Sequence, residues 1–210
     1  VLIRISIGNL APRLIVKETG AVRFFGVLNS ASFRKGHKRI GALGGAAELT
    51  QLGKEYLENN FEAHDFEGMD ARFVVDDSHL ETIFEIFSRR DPDFFEIDPA
   101  REIMEEFVRE KILSFGPILT AEEASGITFR FVKTLEQKAG GGTSAREKEG
   151  MSTRRLFHFF DIEAPQLVLF KMSLHATLHL LTEEEVATTE GGSKKGITSG
   201  GTEIADNIFW

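Results

Sequence analysis

Cysteine is absent from all 210 residues, which removes a disulfide framework, a zinc–thiolate site and a thiol nucleophile together. That absence fits a cytoplasmic protein, and the cytoplasm is the expected location. Tyrosine and tryptophan occur once each against nineteen phenylalanines. Nearly all aromatic area is therefore apolar and belongs in a packed interior, so the composition gives a base-stacking surface no support. Cations are the minority: 25 Lys and Arg face 33 Asp and Glu, leaving a formal charge of −8. This weighs against unspecific binding to a nucleic-acid backbone, which needs clustered positive charge. No apolar run approaches the roughly 20 residues of a membrane span, and no membrane partner is expected. The opening Val1 to Ile7 run is too short, and lacks the cleavage pattern, to be a signal peptide. The chain opens on Val rather than Met, so trimming at this end is expected.

What remains is a globular composition, 41% hydrophobic and 28% charged. The length is that of one large domain, or of one domain with an insertion, at roughly 150 residues per domain. A single domain over residues 1–210 is the expectation.

Alternating apolar and polar residues predict short strands over Val1 to Ile7, Arg13 to Lys17 and Ala21 to Leu28, divided by Gly, Asn and Pro signals. His37 to Leu43 reads as another strand, running into Gly44-Gly45. Leu49, Leu52, Tyr56 and Leu57 predict a helix within Ala46 to Asn59, although Gly53 interrupts it. Ala71 to Asp76 reads as a strand. Ser78 to Arg89 reads as a helix with Ser78 as cap and with Leu80, Ile83, Phe84 and Phe87 on one face. Asp98-Pro99 predicts a helix start, continuing to about Leu113. Strands return at Ile127 to Leu135, Arg154 to Ile162 and Leu167 to Leu181, the last long enough to bend or divide. Gly-rich Ala139 to Gly150 and Glu190 to Gly201 read as loops, with a short helix from Thr202 onward.

The segment richest in chemistry is Arg101-Glu102-Ile103-Met104-Glu105-Glu106. At 3.6 residues per turn Glu102, Glu105 and Glu106 fall on one side, and Ile103, Met104, Phe107 and Val108 on another. Like charges three and four apart repel by a few tenths of a kcal/mol per pair unless cations compensate. Mg2+ or Mn2+ would compensate, since both favour oxygen ligands and keep water or substrate phosphate in the shell. The plainer reading of such a face is solvated acidic surface.

This segment resembles the core of the Nudix hydrolase signature, Arg-Glu-apolar-any-Glu-Glu, at every specified position. Upstream, Gly44-Gly45-Ala46-Ala47-Glu48 resembles that family's strand-to-Gly-Gly turn. Downstream, Leu180-Leu181-Thr182-Glu183-Glu184-Glu185-Val186 resembles its late strand-to-helix segment. Two positions and one spacer depart from the signature. Gln51 stands where the family has Glu, and Val108 where it has Gly. Residues 52–100, 49 in all, fill a spacer of seven, which implies an insertion of roughly 42 residues, placed at 54–96. The long insert and its Asp70-Ala71-Arg72-Phe73 stretch most resemble the SMODS-associated Nudix domains of bacterial conflict systems.

The resemblance implies an α/β fold, a mixed β-sheet sandwiched between helices with a large ordered insertion. It implies metal-dependent hydrolysis of a nucleoside diphosphate linked to another moiety. Glu102, Glu105 and Glu106 would ligate Mg2+ or Mn2+, Arg101 would orient a Glu, and a carbonyl of Gly44 or Gly45 would complete the substrate and metal shell. The general base is not identified. The departures equally imply an inactive nucleotide-sensing or protein-interaction domain, with a protein partner or homo-oligomer. The insertion, whose ends must return towards the metal site, is expected to form a wall or lid that selects the group attached to the diphosphate, or else to dock a partner chain.

Other residues carry weaker signals. His175 and His179 are four apart, but Ala176 replaces the Glu of a zincin pattern. His64-Asp65 and Asp76-Asp77 with His79 read as loop solvation. Ser125, Ser144, Ser152 and Ser173 lack a nucleophile-elbow context. Gly191 and Gly196 have a phosphate-loop gap without its Lys, and Arg154-Arg155 and Lys194-Lys195 read as solvated pairs.

Overall fold

The computed structural model describes residues 1–28, 39–109, 117–138, 151–174, 178–182, 184–185, 196–197 and 203–204. The first strand, β1, spans Leu2–Val16 without a break. Gly8, Asn9 and Pro12 were expected to divide it. Gly8 through Pro12 are instead buried in succession, so the strand continues through its own punctuation. Asn9 is satisfied there, its Nδ2 donating to the carbonyls of Glu96 at 2.9 Å and Asp98 at 3.2 Å.

The chain divides into two compact units, and β1 contributes to both. So do β4 (Leu43–Ala46), β6 (Thr128–Lys138) and β7 (Thr153–Ala164), with β6 beside β7 and β7 beside β1.

The first unit comprises Val1–Asn9, Gly45–Pro99 and Val132–Phe159. Strand β5 (Arg72–Asp76) runs antiparallel to β1, with Ile5 opposite Phe73 and Ile3 opposite Val75. Helix α1 covers Gln51–Phe61, later than the expected start at Ala46. Its boundary is set by Thr50, whose hydroxyl accepts from the Gly53 N–H at 2.9 Å. Gly53 is in the helix because of what lies against it: a Cβ there would meet the Phe94 carbonyl oxygen at 2.0 Å. Asp76, not Ser78, caps the next segment, a 3-10 turn over Asp77–His79 that leads into α2 (Leu80–Ser88). The expected face is the buried one: Leu80, Ile83, Phe84 and Phe87 join Ile3, Ile5, Ile7, Leu57, Phe73 and Phe95 in one core. The segment 54–96 thus supplies much of the apolar interior of this unit.

The second unit comprises Leu10–Gly44, Ala100–Phe131 and Phe160–Trp210. Here β2 (Val22–Leu28) pairs antiparallel with β1, with β3 (Arg39–Gly41) and with β8 (Leu178–Leu181). Strand β10 (Glu203–Ile204) lies parallel to β3, and β9 (Gly196–Ile197) antiparallel to β10, which makes the sheet mixed. A helix had been expected around Glu203 and a loop around Gly196. Helices α3 (Ala100–Ile103), α4 (Ala121–Ser125) and α5 (Gln166–Ser173) also belong to this unit. Ala139 to Gly150 lies outside the described residues.

Leu167 to Leu181, expected as strand that could bend or divide, is instead a helix over Gln166–Ser173 and a strand over Leu178–Leu181. Pro165 precedes α5, and Val168 and Met172, four apart, are its buried positions, so the apolar run is used at helical rather than strand spacing. Leu14, Phe25, Leu43, Ile103, Phe107, Leu119, Phe160 and Met172 belong to the core of this unit. The protein is α/β with a mixed sheet, and among the described residues no helix is long and apolar enough to cross a membrane.

Candidate functional site

Two buried anchors position the carboxylates. Ile103 and Phe107, four apart, are 1% and 2% exposed in the core of the second unit, with Met104 and Val108 packed partly against it. The apolar face expected from spacing is therefore the packed one, and Arg101, Glu102, Glu105 and Glu106 lie half-buried beside it. The described helical segment ends at Val108, short of the expected Leu113, which lies outside the described residues. After Ile103 it widens into a π-helical turn over Met104–Val108, closed by the Arg109 N–H on the Met104 carbonyl at 2.8 Å. The N–H groups of Ile118 and Leu119 then donate to the Phe107 carbonyl at 2.9 and 3.0 Å. Such wide turns occur often at functional sites.

Arg101 brings two of the three glutamates together. Its guanidinium donates to Glu102 at 3.1 Å and to Glu105, one turn on, at 3.1 Å. Partial burial makes these charge-assisted bonds stronger than a surface pair. Glu106 is left outside the clamp. Its Oε2 is buried with no hydrogen-bond partner among the described residues. Burial above all, and then the charges of Glu102 and Glu105, push its carboxyl up to about 7. Among the described residues, no group of three His, Asp or Glu is gathered to hold a metal ion. The donors nevertheless match a hard divalent cation in kind, all oxygen, with one buried oxygen unsatisfied.

Gly44 and Gly45 form part of strand β4, not a turn. Their neighbours Leu43 and Ala46 are buried, and β4 pairs with β1, so the dipeptide is drawn into the ladder. Gly44 has φ of 127°, a conformation that favours glycine. Gly44 belongs to the second unit, with α3, and Gly45 to the first. Gln51, at the signature's Glu position, is exposed on α1 and donates to Glu55 at 2.7 Å. In the late segment β8 ends at Leu181, Thr182 Oγ1 accepts from the Glu185 N–H, and the Glu185 carboxylate accepts from the Thr182 N–H, whereas Glu183 and Val186 lie outside the described residues.

A second charged cluster in the same unit was not foreseen. Asp161 is fully buried on β7, and its carboxylate accepts from Arg13 Nε at 2.7 Å, Arg13 Nη2 at 2.9 Å and Arg130 Nη2 at 2.7 Å. A single Asp inside the apolar run Leu156 to Ile162 was the one available signal. In the first unit, His158 is buried, its Nδ1 at 2.8 Å from Thr134 Oγ1 and its ring stacked on Phe95. Burial, with the nearby Arg90 charge, pulls its pKa down to about 4.

The weaker candidates are local. His64 Nδ1 sits 3.0 Å from the Glu62 carbonyl, and His79 packs edge-on against Phe61. Ser125 and Ser173 donate to carbonyls three residues back, and Arg154 pairs with Glu136. His179 lies on β8, whereas His175, Ser144 and Lys194-Lys195 lie outside the described residues. No family model, curated protein or solved structure matches the chain.

Proposed function

We propose that this protein is a divergent Nudix-type hydrolase, its sheet flanked by helices as in that family, that cleaves a nucleoside diphosphate linked to another group. The observation that carries the reading is the Arg101 clamp on Glu102 and Glu105, which leaves Glu106 partly buried and short of a hydrogen-bond partner. Arg101 fixes the rotamers of two carboxylates, and that orientation is what a preorganised anionic site requires. Glu105 and Glu106 would hold Mg2+ or Mn2+, with Glu102 contributing. When bound, such an ion supplies Lewis acidity and activates water for attack on phosphorus. The raised carboxyl of Glu106 favours the same reading, because a cation at its oxygen would offset the repulsion from Glu102 and Glu105.

The test is a metal-supplemented screen of nucleoside diphosphate derivatives with product analysis, on the native chain and on Glu105→Gln. Turnover that Glu105→Gln removes while leaving thermal unfolding nearly unchanged is the expected result. Absence of turnover across the screen would remove the hydrolase reading.

A second reading, an inactive nucleotide-sensing or protein-interaction domain of a bacterial conflict or signalling system, is favoured by one specific feature. Arg101 engages both Glu102 and Glu105, so a metal must compete with an existing ion pair for two of its three ligands. Saturable binding of a nucleoside diphosphate without product release supports this reading.

A further inference from the structure

Away from the glutamates, the second unit encloses a half-open cavity of about 490 Å³. Strand alternation builds one wall. Leu14 lies opposite Arg23 in the β1–β2 register and Leu180 opposite Phe25 in the β2–β8 register, so residues two apart on three strands share a face. That face presents Leu14 and Val16, Ala21 and Arg23, and Leu178 and Leu180 to the cavity. Thr19 and helix α5 contribute the rest, chiefly Leu169, Phe170 and Met172. The volume falls within the roughly 300–1,000 Å³ typical of small-molecule sites, and the mostly apolar lining with a few polar groups is also typical.

Arg23 is the single charged side chain in this lining. It donates to the adjacent Val22 carbonyl at 3.0 Å, and among the described residues no carboxylate pairs with it. The nearby carboxylate of Glu18 is engaged by the Gln166 N–H at 2.9 Å. The apolar rim is open: Leu180 is 54% and Phe170 60% exposed, and both also line the cavity. An arginine with no carboxylate partner among the described residues, at the mouth of an apolar cavity, is complementary to one kind of ligand, an apolar body with an anionic head.

We propose that this cavity binds a small amphiphilic carboxylate. Its tail lies between the sheet and α5, and its head is held by the Arg23 guanidinium, whose planar fork matches a carboxylate. The proposal involves neither metal nor the Glu102 to Glu106 segment, so it stands or falls separately from the hydrolase reading.

The test measures binding of decanoate, below its micelle concentration, to the full chain by calorimetry and by NMR shift mapping. Decanol and decyltrimethylammonium serve as neutral and cationic counterparts. Saturable one-site binding of decanoate, tighter than either counterpart, is expected. Arg23→Gln should weaken decanoate roughly tenfold with little effect on decanol. Arg23→Lys should fall between, and Leu180→Asp, at an exposed rim position, should weaken both ligands while thermal unfolding stays near native. The proposal is overturned by no saturable binding, by equal decanoate affinity in Arg23→Gln, by preference for the cation, or by binding to anionic lipid vesicles but not to monomeric decanoate.

Discussion

Arg13 donates two hydrogen bonds, at 2.7 and 2.9 Å, to the fully buried carboxylate of Asp161, a residue 148 positions away in the chain. Arg130 adds a third at 2.7 Å but is itself 60% exposed. The two arginines should therefore differ in weight. Removing one partner of a buried pair leaves an uncompensated charge, whereas an exposed partner can return to water. Arg13→Ala, which strands the buried Asp161 carboxylate, is expected to cost about 2–4 kcal/mol of stability and Arg130→Ala about 1 kcal/mol or less, read from urea unfolding. Equal costs would show that burial does not set the strength of this cluster.

Glu106 links the candidate site to pH. Its folded pKa, raised to about 7, lies above the ordinary 4.5, so its contribution to stability is present below pH 4.5 and is lost as pH rises through 7. Glu106→Gln should therefore match the native protein near pH 4.5 and exceed it above pH 7. The gain should be on the order of 1–2 kcal/mol after discounting for solvent screening. Unfolding curves at a series of pH values decide it, and a variant less stable than native at pH 8 would contradict the repulsion argument.

His158 should behave in the opposite sense. Its folded pKa, lowered to about 4, makes its contribution fully present above pH 6.5 and lost as pH falls through 4. Between those limits acid should remove about 2–3 kcal/mol through this group. Imidazole NMR resonances follow it directly: His158 should remain neutral at pH 5, and a midpoint near 6.5 would mean that the ring is not buried.

Gly53 predicts a steric failure inside a helix. Gly→Ala in a helix interior ordinarily stabilises by about 0.5–1 kcal/mol. Here the added methyl would lie 2.0 Å from the Phe94 carbonyl oxygen, against backbone that cannot swing aside. Gly53→Ala is expected to destabilise by about 1–3 kcal/mol, the usual range for overpacking. Thermal unfolding gives the sign.

Deleting residues 54–96 should abolish folding of the first unit, because Phe73, Ile83, Phe84 and Phe87 leave its core with that segment. A cooperative unfolding transition of unchanged midpoint in the shortened chain would show that the segment is an appendage. Its role in choosing a substrate is accordingly a question for surface substitutions rather than for deletion.

Periodicity alone identified the buried face of α2, where Leu80, Ile83, Phe84 and Phe87 all pack, and the split of Ile103 and Phe107 from Glu102, Glu105 and Glu106. These follow from 3.6 residues per turn, which any short segment carries within itself. Other features were beyond local pattern. The run from Leu167 reads equally well as strand or helix until a partner surface selects Val168 and Met172 for burial. Gly44-Gly45 resembles a turn until β1 pairs with it. Gly8, Asn9 and Pro12 resemble breaks until both sides of β1 are covered and Asn9 finds its carbonyls. The sequence by itself determined which residues share a face within one element. Tertiary structure decided which elements continue, where the helix of Arg101 widens, and which distant charges, Arg13 and Asp161 among them, must be buried together. Those choices depend on hydrogen-bond partners and excluded volume supplied by residues far along the chain.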